Sequence, residues 1–533
     1  MIHWSNRKEL VLSSAGALFL LAALSGCALF GVSRPIVPKD MANHVIMIRE
    51  TGEPLDPTGN TSCQEPPGLC KGIHGSALLH SYRTIVRYPE DRYREYVLAL
   101  LKNVQKHFGE KDRKVLIFVH GGMNILVAAN ERADALREQI LQAEEGYYPI
   151  IINWDSGLLS SYQEHVLHVR QGVHEPYGWW SAPTYLTMDL VRGLTRAPVV
   201  WWNLIRNDIQ TLPWSLGPLS QERDDASQIG RELVEDWQLK RPDAFPIRQG
   251  QGQRTGWEMA AGLIKYVGTF PLKLAIAPVV DAAGLSAWNN MRRRTEMLFH
   301  TEDEFAAVID KPKSKAMMDM RANPGKGLSH IQPDGALSVF MRELSNIINT
   351  EKPSMAGGRK WTISLVGHSM GTIVMNRMIR EFGDMPFDNL IYMGAACTIA
   401  DYESSVFPYL MKKNGGSQVF HLVLHELAES GEAWDEYTFG IDLPPRGSLL
   451  VWIDSFLGNP LAPLDLTLGR YTNLMRAIHD TPLEIRRQIS VKKFEPGKRA
   501  GKTNPTKHGE FSEPFKFWKH ECWEVESSDG CFR

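Results

Sequence analysis

What this chain lacks narrows its reading first. It has six cysteines in 533 residues. None shows Cys-x-x-Cys spacing or a partnering histidine cluster, so the case for a zinc site is weak. It lacks charge of one sign: 59 basic residues face 61 acidic ones, for a net charge of −2. That balance removes the electrostatic case for a nucleic-acid partner. It also lacks a clean membrane-spanning run. The apolar segment Leu10–Leu24 is too short to be a comfortable span. The longer stretch Trp257–Trp288 is interrupted by Lys265, Lys273 and Asp281 and by Pro271 and Pro278, which argues against a transmembrane helix. At 43 % hydrophobic content the chain can still bury a large core.

What is present begins at the amino terminus. Arg7 and Lys8 precede Leu10–Leu24, and Leu24-Ser-Gly-Cys27 follows, which describes an export signal. The ending resembles a bacterial lipobox. That implies residues 1–26 as a signal peptide, lipid on Cys27, and a protein tethered to a membrane of the bacterial envelope. The absence of aspartate after the cysteine (Ala28) favours the outer membrane in a Gram-negative host. An oxidising compartment would let Cys63 pair with Cys70, and Cys522 with Cys531, closing small loops. Cys397 reads as a small apolar core residue.

The most informative stretch is Gly367-His-Ser-Met-Gly371, directly behind the apolar run Trp361–Val366. A strand that stops at Gly-x-Ser-x-Gly and continues as a helix presents the serine, Ser369, on a tight strained turn at the carboxyl edge of a sheet. Upstream, the strand Lys114–Val119 ends in His120-Gly-Gly-Met123. That is the usual source of a second oxyanion-binding amide, from Gly122 or Met123, beside the amide of Met370. A helix over 131–143 and a buried strand through Tyr147–Asn153 complete a β-α-β order that implies parallel pairing.

Val115-Leu-Ile-Phe-Val-His-Gly-Gly-Met-Asn124, Pro149-Ile-Ile-Ile-Asn-Trp-Asp-Ser-Gly157 and Ile363-Ser-Leu-Val-Gly-His-Ser-Met-Gly371, in that order, resemble a bacterial α/β-hydrolase family of esterase or lipase character. The match covers about 110–160 and 330–510. It implies an α/β-hydrolase fold, a mostly parallel doubly wound sheet with a large, mainly helical insertion. Asp155 stands where the family commonly has proline, and Ala395-Ala-Cys-Thr-Ile-Ala-Asp401 where it often shows Ala-Pro-Asp.

The interval from His120 to Ser369 spans 249 residues, far more than two βα units require. Residues 161–330 therefore read as an inserted helical cap, between core segments 111–160 and 331–520. Residues 27–110 read as a loop-rich region packing on the core, and 521–533 as a tail. The cap is rich in aromatics, as in Trp179-Trp180 and Trp201-Trp202. Two readings stand for it: helices packed on the core, or a lid or acyl-binding cap near a membrane surface.

In these hydrolases the order is nucleophile, acid, base. Of the histidines after Ser369, His508 stands where the base belongs, beyond the strand-like Ile485–Phe494 and before a final helix over Phe511–Trp518; His520 is the reserve. For the acid, Glu429 has the expected separation from the strand Val419–His425, with Glu426, Asp401 and Asp454 as alternatives. The resemblance implies a membrane-anchored carboxylesterase or lipase using an acyl-enzyme, with an ester or lipid substrate and no metal or organic cofactor. An envelope acyltransferase with the same triad, or a non-catalytic envelope scaffold, are the competing expectations.

Overall fold

The computed structural model describes residues 39–55, 57, 90–124, 126–170, 172–174, 178–216, 256–300, 335–351, 359–413, 416–432, 445–494, 505–512, 515–523 and 531. Cys27, Cys63 and Cys70 lie outside the described residues, as do the expected signal peptide and the loop 497–504.

Short apolar runs build the centre. Val115–Val119, Ile150–Trp154 and Ile363–His368 are buried throughout. Such runs, without polar alternation, suit strands covered on both faces. The strands of the sheet are β1 (Val45–Ile48), β2 (Pro54–Leu55), β3 (Arg113–Val119), β4 (Tyr148–Trp154), β7 (Trp361–His368), β8 (Phe387–Met393), β9 (Gln418–Leu424) and β10 (Ile489–Phe494). A separate two-stranded ribbon is formed by β5 (Val169–Arg170) and β6 (Val173–His174). The eight-stranded order is β10-β9-β8-β7-β3-β4-β1-β2, parallel except for the last pair. Registers such as Val119 with Gly367, Gly367 with Tyr392 and Leu424 with Phe494 bring the carboxyl ends of the central strands to one edge.

The amino-terminal region departs from expectation. It does not merely pack on the core: β1 joins β4 inside the sheet, and β2 closes its edge. Four residues, Val45-Ile-Met-Ile48, are too few for periodicity to separate a strand from a loop. Helix α1 spans Glu90–Phe108, and the helix expected over 131–143 is present as α2 (Leu126–Gln142).

Among the described residues the insertion holds α3 (Leu158–Leu167), α4 (Ala182–Leu216) and α5 (Gly256–Met297). Helix α5 runs through Pro271 and Pro278. A proline withdraws the hydrogen bond to the carbonyl four residues back. For Pro278 that carbonyl is Leu274 O, and it accepts the Trp201 indole N–H at 2.7 Å. The two helices approach closely here, since a Cβ on Gly193 would lie 2.5 Å from Pro278 O. The helix is continuous through both prolines, and Phe270–Met297 meets the length and composition of a membrane span with 44 % of its most apolar window buried in the protein. Helix α6 (Ala336–Thr350) then leads back to the core, burying Leu337, Phe340, Met341 and Leu344 on one face.

After β7 come α7 (Gly371–Glu381), α8 (Ile399–Lys413), α9 (Glu426–Gly431) and α10 (Tyr471–Asp480). The expected helix over Phe511–Trp518 is not formed. His508–Phe511 is a single 3-10 turn, and the chain beyond it packs as an aromatic cluster. Phe517 stacks on Phe118 at 4.6 Å, and Phe515 meets Phe494 edge-on at 5.3 Å. Phe511, Phe515 and Trp518 are spaced i, i+4, i+7, so their periodicity reads as a helix although the chain packs them without one. Cys522 and Cys531 form a disulfide that closes this segment.

Candidate active site

Ser369 sits at the carboxyl end of β7 with φ of +50°, in the left-handed region. A side chain there costs on the order of 1–2 kcal/mol, which the surroundings must hold in place. They do so with backbone bonds. Ser369 N–H donates to Met393 O at 2.8 Å, and Ser369 O accepts from the amides of Thr372 and Ala396, both at 3.1 Å. The flanking glycines have steric reasons. A Cβ on Gly371 would lie 2.2 Å from Val119 O, and one on Gly367 would lie 3.1 Å from the Thr372 backbone.

His508 reaches this serine from the far end of the chain. Its Nε2 lies 2.8 Å from Ser369 Oγ. Both backbone groups of His508 are fixed. Its N–H donates to Glu432 Oε2 at 3.0 Å, and its carbonyl accepts from His368 Nε2 at 3.0 Å. Because a carbonyl only accepts, His368 carries its proton on Nε2 in this bond. Burial holds the His368 imidazole well below its ordinary pKa, so it remains neutral. Gly394, at φ +48°, lies directly under the ring: a Cβ there would stand 2.8 Å from His508 Cε1.

Of the four candidate acids, only Glu429 approaches His508. Its Oε1 lies 3.8 Å from His508 Nδ1, and its side chain is fully buried. The others are engaged elsewhere. Glu426 pairs with Arg470 and accepts from Thr472 Oγ1. Asp454 accepts from Thr467 N–H and Asn473 Nδ2. Asp401 accepts from Asn376 Nδ2 at 2.7 Å and pairs with Arg380 at 3.1 Å. His520 is exposed and rests against Phe420 and Trp523, away from the serine. His421 is buried beside Tyr402 OH, and His479 is exposed beside Asp480.

The electrostatics favour a chargeable His508. Burial pulls its pKa down, but Glu429 first and Glu432 second outweigh it and hold it above the ordinary 6.5. Burial pushes Glu432 the other way for a carboxyl, up to about 7, with Glu429 adding to the rise and His508 opposing it.

The loop after β3 faces Ser369. A Cβ on Gly121 would lie 2.9 Å from Ser369 Cβ. The Met123 amide, one of the expected oxyanion donors, donates to Ser156 O at 2.7 Å. The amides of Gly122 and Met370 have no hydrogen-bond partner among the described residues. Met370 also opens α7, whose N-terminal end favours negative charge. His120 shapes this loop. Its Nδ1–H donates to Gly121 O at 2.7 Å, and its Nε2 accepts the Trp154 N–H at 3.2 Å. Burial lowers its pKa to about 4, so it stays neutral in that role. A groove of about 40 Å3 lined by Phe118, His120 and Asn153 lies beneath α2; Ser369 does not line it.

Asp155 has a visible task. It accepts from Gly157 N–H at 3.1 Å and Ser160 Oγ at 3.3 Å, and pairs with Arg294 at 3.3 Å. Arg294, on α5, also reaches Glu164 Oε2 at 2.9 Å. The cap is thus bolted to the end of β4. Met291, on the same helix, stands where a Cβ on Gly122 would come within 2.8 Å of its Cε.

Three contributors escaped the sequence reading. His368 stands in it only as the variable position of the serine motif, and Glu432 and Gly394 not at all. A glycine directly behind the apolar strand Leu390–Met393 is the sequence signal for Gly394, whose φ is +48°. No protein-family description, curated protein or solved structure matches this chain, so the case for its chemistry rests on the geometry of Ser369, His508 and Glu429.

Proposed function

We propose that this chain is a serine hydrolase of the α/β-hydrolase fold that cleaves an ester through an acyl-enzyme, tethered to the bacterial envelope by lipid on Cys27. The observation that carries the reading is the 2.8 Å contact between His508 Nε2 and Ser369 Oγ, on a serine held at positive φ at the carboxyl edge of β7. The chain order Ser369, Glu429, His508 follows the order of that fold's triads. The mostly parallel sheet and the open amides of Gly122 and Met370 support it further.

In the proposed reaction His508 Nε2 removes the Ser369 proton as Oγ attacks the ester carbonyl. The carbonyl oxygen becomes an oxyanion that accepts from the Met370 and Gly122 amides. His508 then gives its proton to the departing alcohol. In the second half His508 takes a proton from water, hydroxide equivalent attacks the acyl-serine, and the proton returns to Ser369 as the acid leaves. Glu429 stabilises the imidazolium formed in each half.

The test is labelling of the folded protein with a fluorophosphonate, wild type beside Ser369→Ala and His508→Ala. Labelling lost in both variants is the expected result. A folded wild type that stays unlabelled, with detergent and with lipid as well as without, would sink the enzyme reading in favour of a binding scaffold. Product analysis with and without an added acceptor alcohol separates hydrolysis from acyl transfer.

A further inference from the structure

Helix α4 is amphipathic with its sides reversed. From Pro183 to Trp202 every exposed residue is proline, threonine, leucine, methionine, valine or tryptophan. Met188, Leu190, Leu194, Val199 and Trp202 are each more than half exposed. The charged residues of the same span turn inward. Asp189 is buried and accepts from Ser286 Oγ at 2.8 Å. Arg192 reaches Asp189 at 2.8 Å and Ala282 O at 2.7 Å, and Arg196 holds the buried Asp281 through two contacts at 2.9 and 3.1 Å.

The neighbouring part of α5 continues the pattern. Pro271, Leu272 and Ala275 are exposed, while Lys273 and Asp281 are fully buried. A water-facing helix places its charges outward and its apolar residues inward. An apolar patch of this extent marks an interaction surface, because monomeric proteins in water rarely leave one open.

We propose that the outward face of α4, with the adjoining turn of α5, docks on a phospholipid bilayer and lies in its surface. The composition selects this occupant. A protein interface carries a polar rim with hydrogen-bonding partners. No exposed residue over Pro183–Trp202 is charged, the part-exposed Arg192 being held by Asp189, Ala282 O and Ser286 Oγ, and the threonines can bond within the helix, as Thr187 Oγ1 does to Pro183 O at 2.7 Å. Trp180 lies just before the helix and Trp202 at the far end of this face, 71 % and 65 % exposed. Indoles favour the level of the lipid headgroups. Helix α5 meets the length and composition of a membrane span from Phe270 onward, yet 44 % of its most apolar window is buried in the protein. That combination fits a helix pair lying on the bilayer rather than crossing it. Between the helices runs an apolar groove of about 230 Å3, lined by Leu190, Leu194, Trp201, Leu274 and Pro278. This docking does not depend on the hydrolase reading, nor on lipid at Cys27.

The experiment places an environment-sensitive fluorescent amino acid at position 194 of the full chain, in place of Leu194, and a control probe in place of the exposed Lys412. Vesicles of phosphatidylethanolamine and phosphatidylglycerol are added, with and without lipid carrying a nitroxide deep in its acyl chain. The expected result is a blue shift and nitroxide quenching at 194 and neither at 412. Leu190→Glu with Trp202→Glu should abolish both effects, and these exposed positions leave the fold intact by near-ultraviolet circular dichroism. A tether at Cys27 alone would hold the protein near the vesicle without quenching at 194. The proposal is overturned if the probe at 194 stays aqueous, if the double variant is quenched like its parent, or if the blue shift follows protein concentration without vesicles. The last outcome would assign the face to a second copy of the chain.

Discussion

His508 Nδ1 and Glu429 Oε1 stand 3.8 Å apart, within ion-pair reach and beyond hydrogen-bond length. Neither atom has a hydrogen-bond partner among the described residues, and the carboxylate is fully buried. A buried carboxylate in that position is costly in the resting protein and valuable once the imidazole is charged. Catalytic hydrogen bonds of this kind commonly tighten only when substrate is bound.

Glu429→Gln separates those two effects. The amide keeps the shape and removes the charge that stabilises imidazolium, so kcat should fall by roughly 10^3–10^4. Stability should rise by about 1–3 kcal/mol, because a buried carboxylate without a hydrogen-bond partner has been replaced by a neutral amide. Steady-state kinetics and denaturant midpoints on the same preparation check both. A variant that loses stability would mean that Glu429 is a structural ion-pair partner instead.

The pH profile follows from the charges around His508. The imidazole must be neutral to accept the serine proton, and its pKa is raised above 6.5 against the pull of burial. Activity on a neutral ester should therefore rise with pH through a midpoint above 6.5. Glu432→Gln keeps an acceptor for His508 N–H and removes one negative neighbour. Its midpoint should move to lower pH while the high-pH plateau is nearly unchanged. Glu432 titrates at about 7 in the folded protein against an ordinary 4.5, so the folded form binds the extra proton. Its contribution to stability is present below 4.5 and lost as pH rises to about 7. The Gln variant should lack that slope, and a profile that does not move would remove Glu432 from the electrostatics of the site.

Gly394→Ala tests how closely His508 is seated. The new methyl would meet His508 Cε1 at 2.8 Å from a backbone at φ +48°. We expect kcat to fall by about 10^2-fold or more, since displacement of a catalytic group by about 1 Å has that cost. KM should change little. A fluorophosphonate labelling rate that matches wild type would show that the ring can give way without loss.

How much of this was legible in the sequence depends on whether the signal is local. Ser369 and the β3 loop were readable because one motif encodes both the turn and its glycines. Parallel pairing was readable because fully apolar runs alternated with helices. His508 required only chain order and a loop after the last strand. The acid was harder. Glu426 and Glu429 lie three residues apart on one short helix, and only the position of Arg470, 44 residues beyond Glu426, decides which of them is drawn away. Strand β1 was missed because four residues carry no period. The outward apolar face of α4 was hidden because composition does not say which way a helix is turned. Asp155 looked like a departure from the pattern until Arg294, 139 residues later, was seen beside it.

That last pairing yields a test of how the cap is held. Arg294 is 1 % exposed and joins Glu164, itself fully buried, at 2.9 Å while also reaching Asp155. Burial alone would raise the Glu164 pKa; Arg294 and then Arg293 outweigh it and hold the carboxyl below its ordinary range. Arg294→Met removes one side of this arrangement and leaves a buried carboxylate short of a partner. Breaking a buried pair on one side costs about 3–5 kcal/mol. The double variant Arg294→Met with Glu164→Leu should recover part of that loss, because the buried carboxylate is gone, while Arg293 loses its 2.6 Å contact with Glu164. Denaturant unfolding of the wild type, the two single variants and the double variant measures the coupling. Limited proteolysis then reports where the loss falls. Since Arg294 joins α5 to the end of β4, cleavage should appear first within the cap, while the β7–β10 half of the sheet stays protected. Cleavage that begins in the sheet would mean that the cap and core unfold as one unit, with Arg294 serving the whole fold rather than the attachment of the cap.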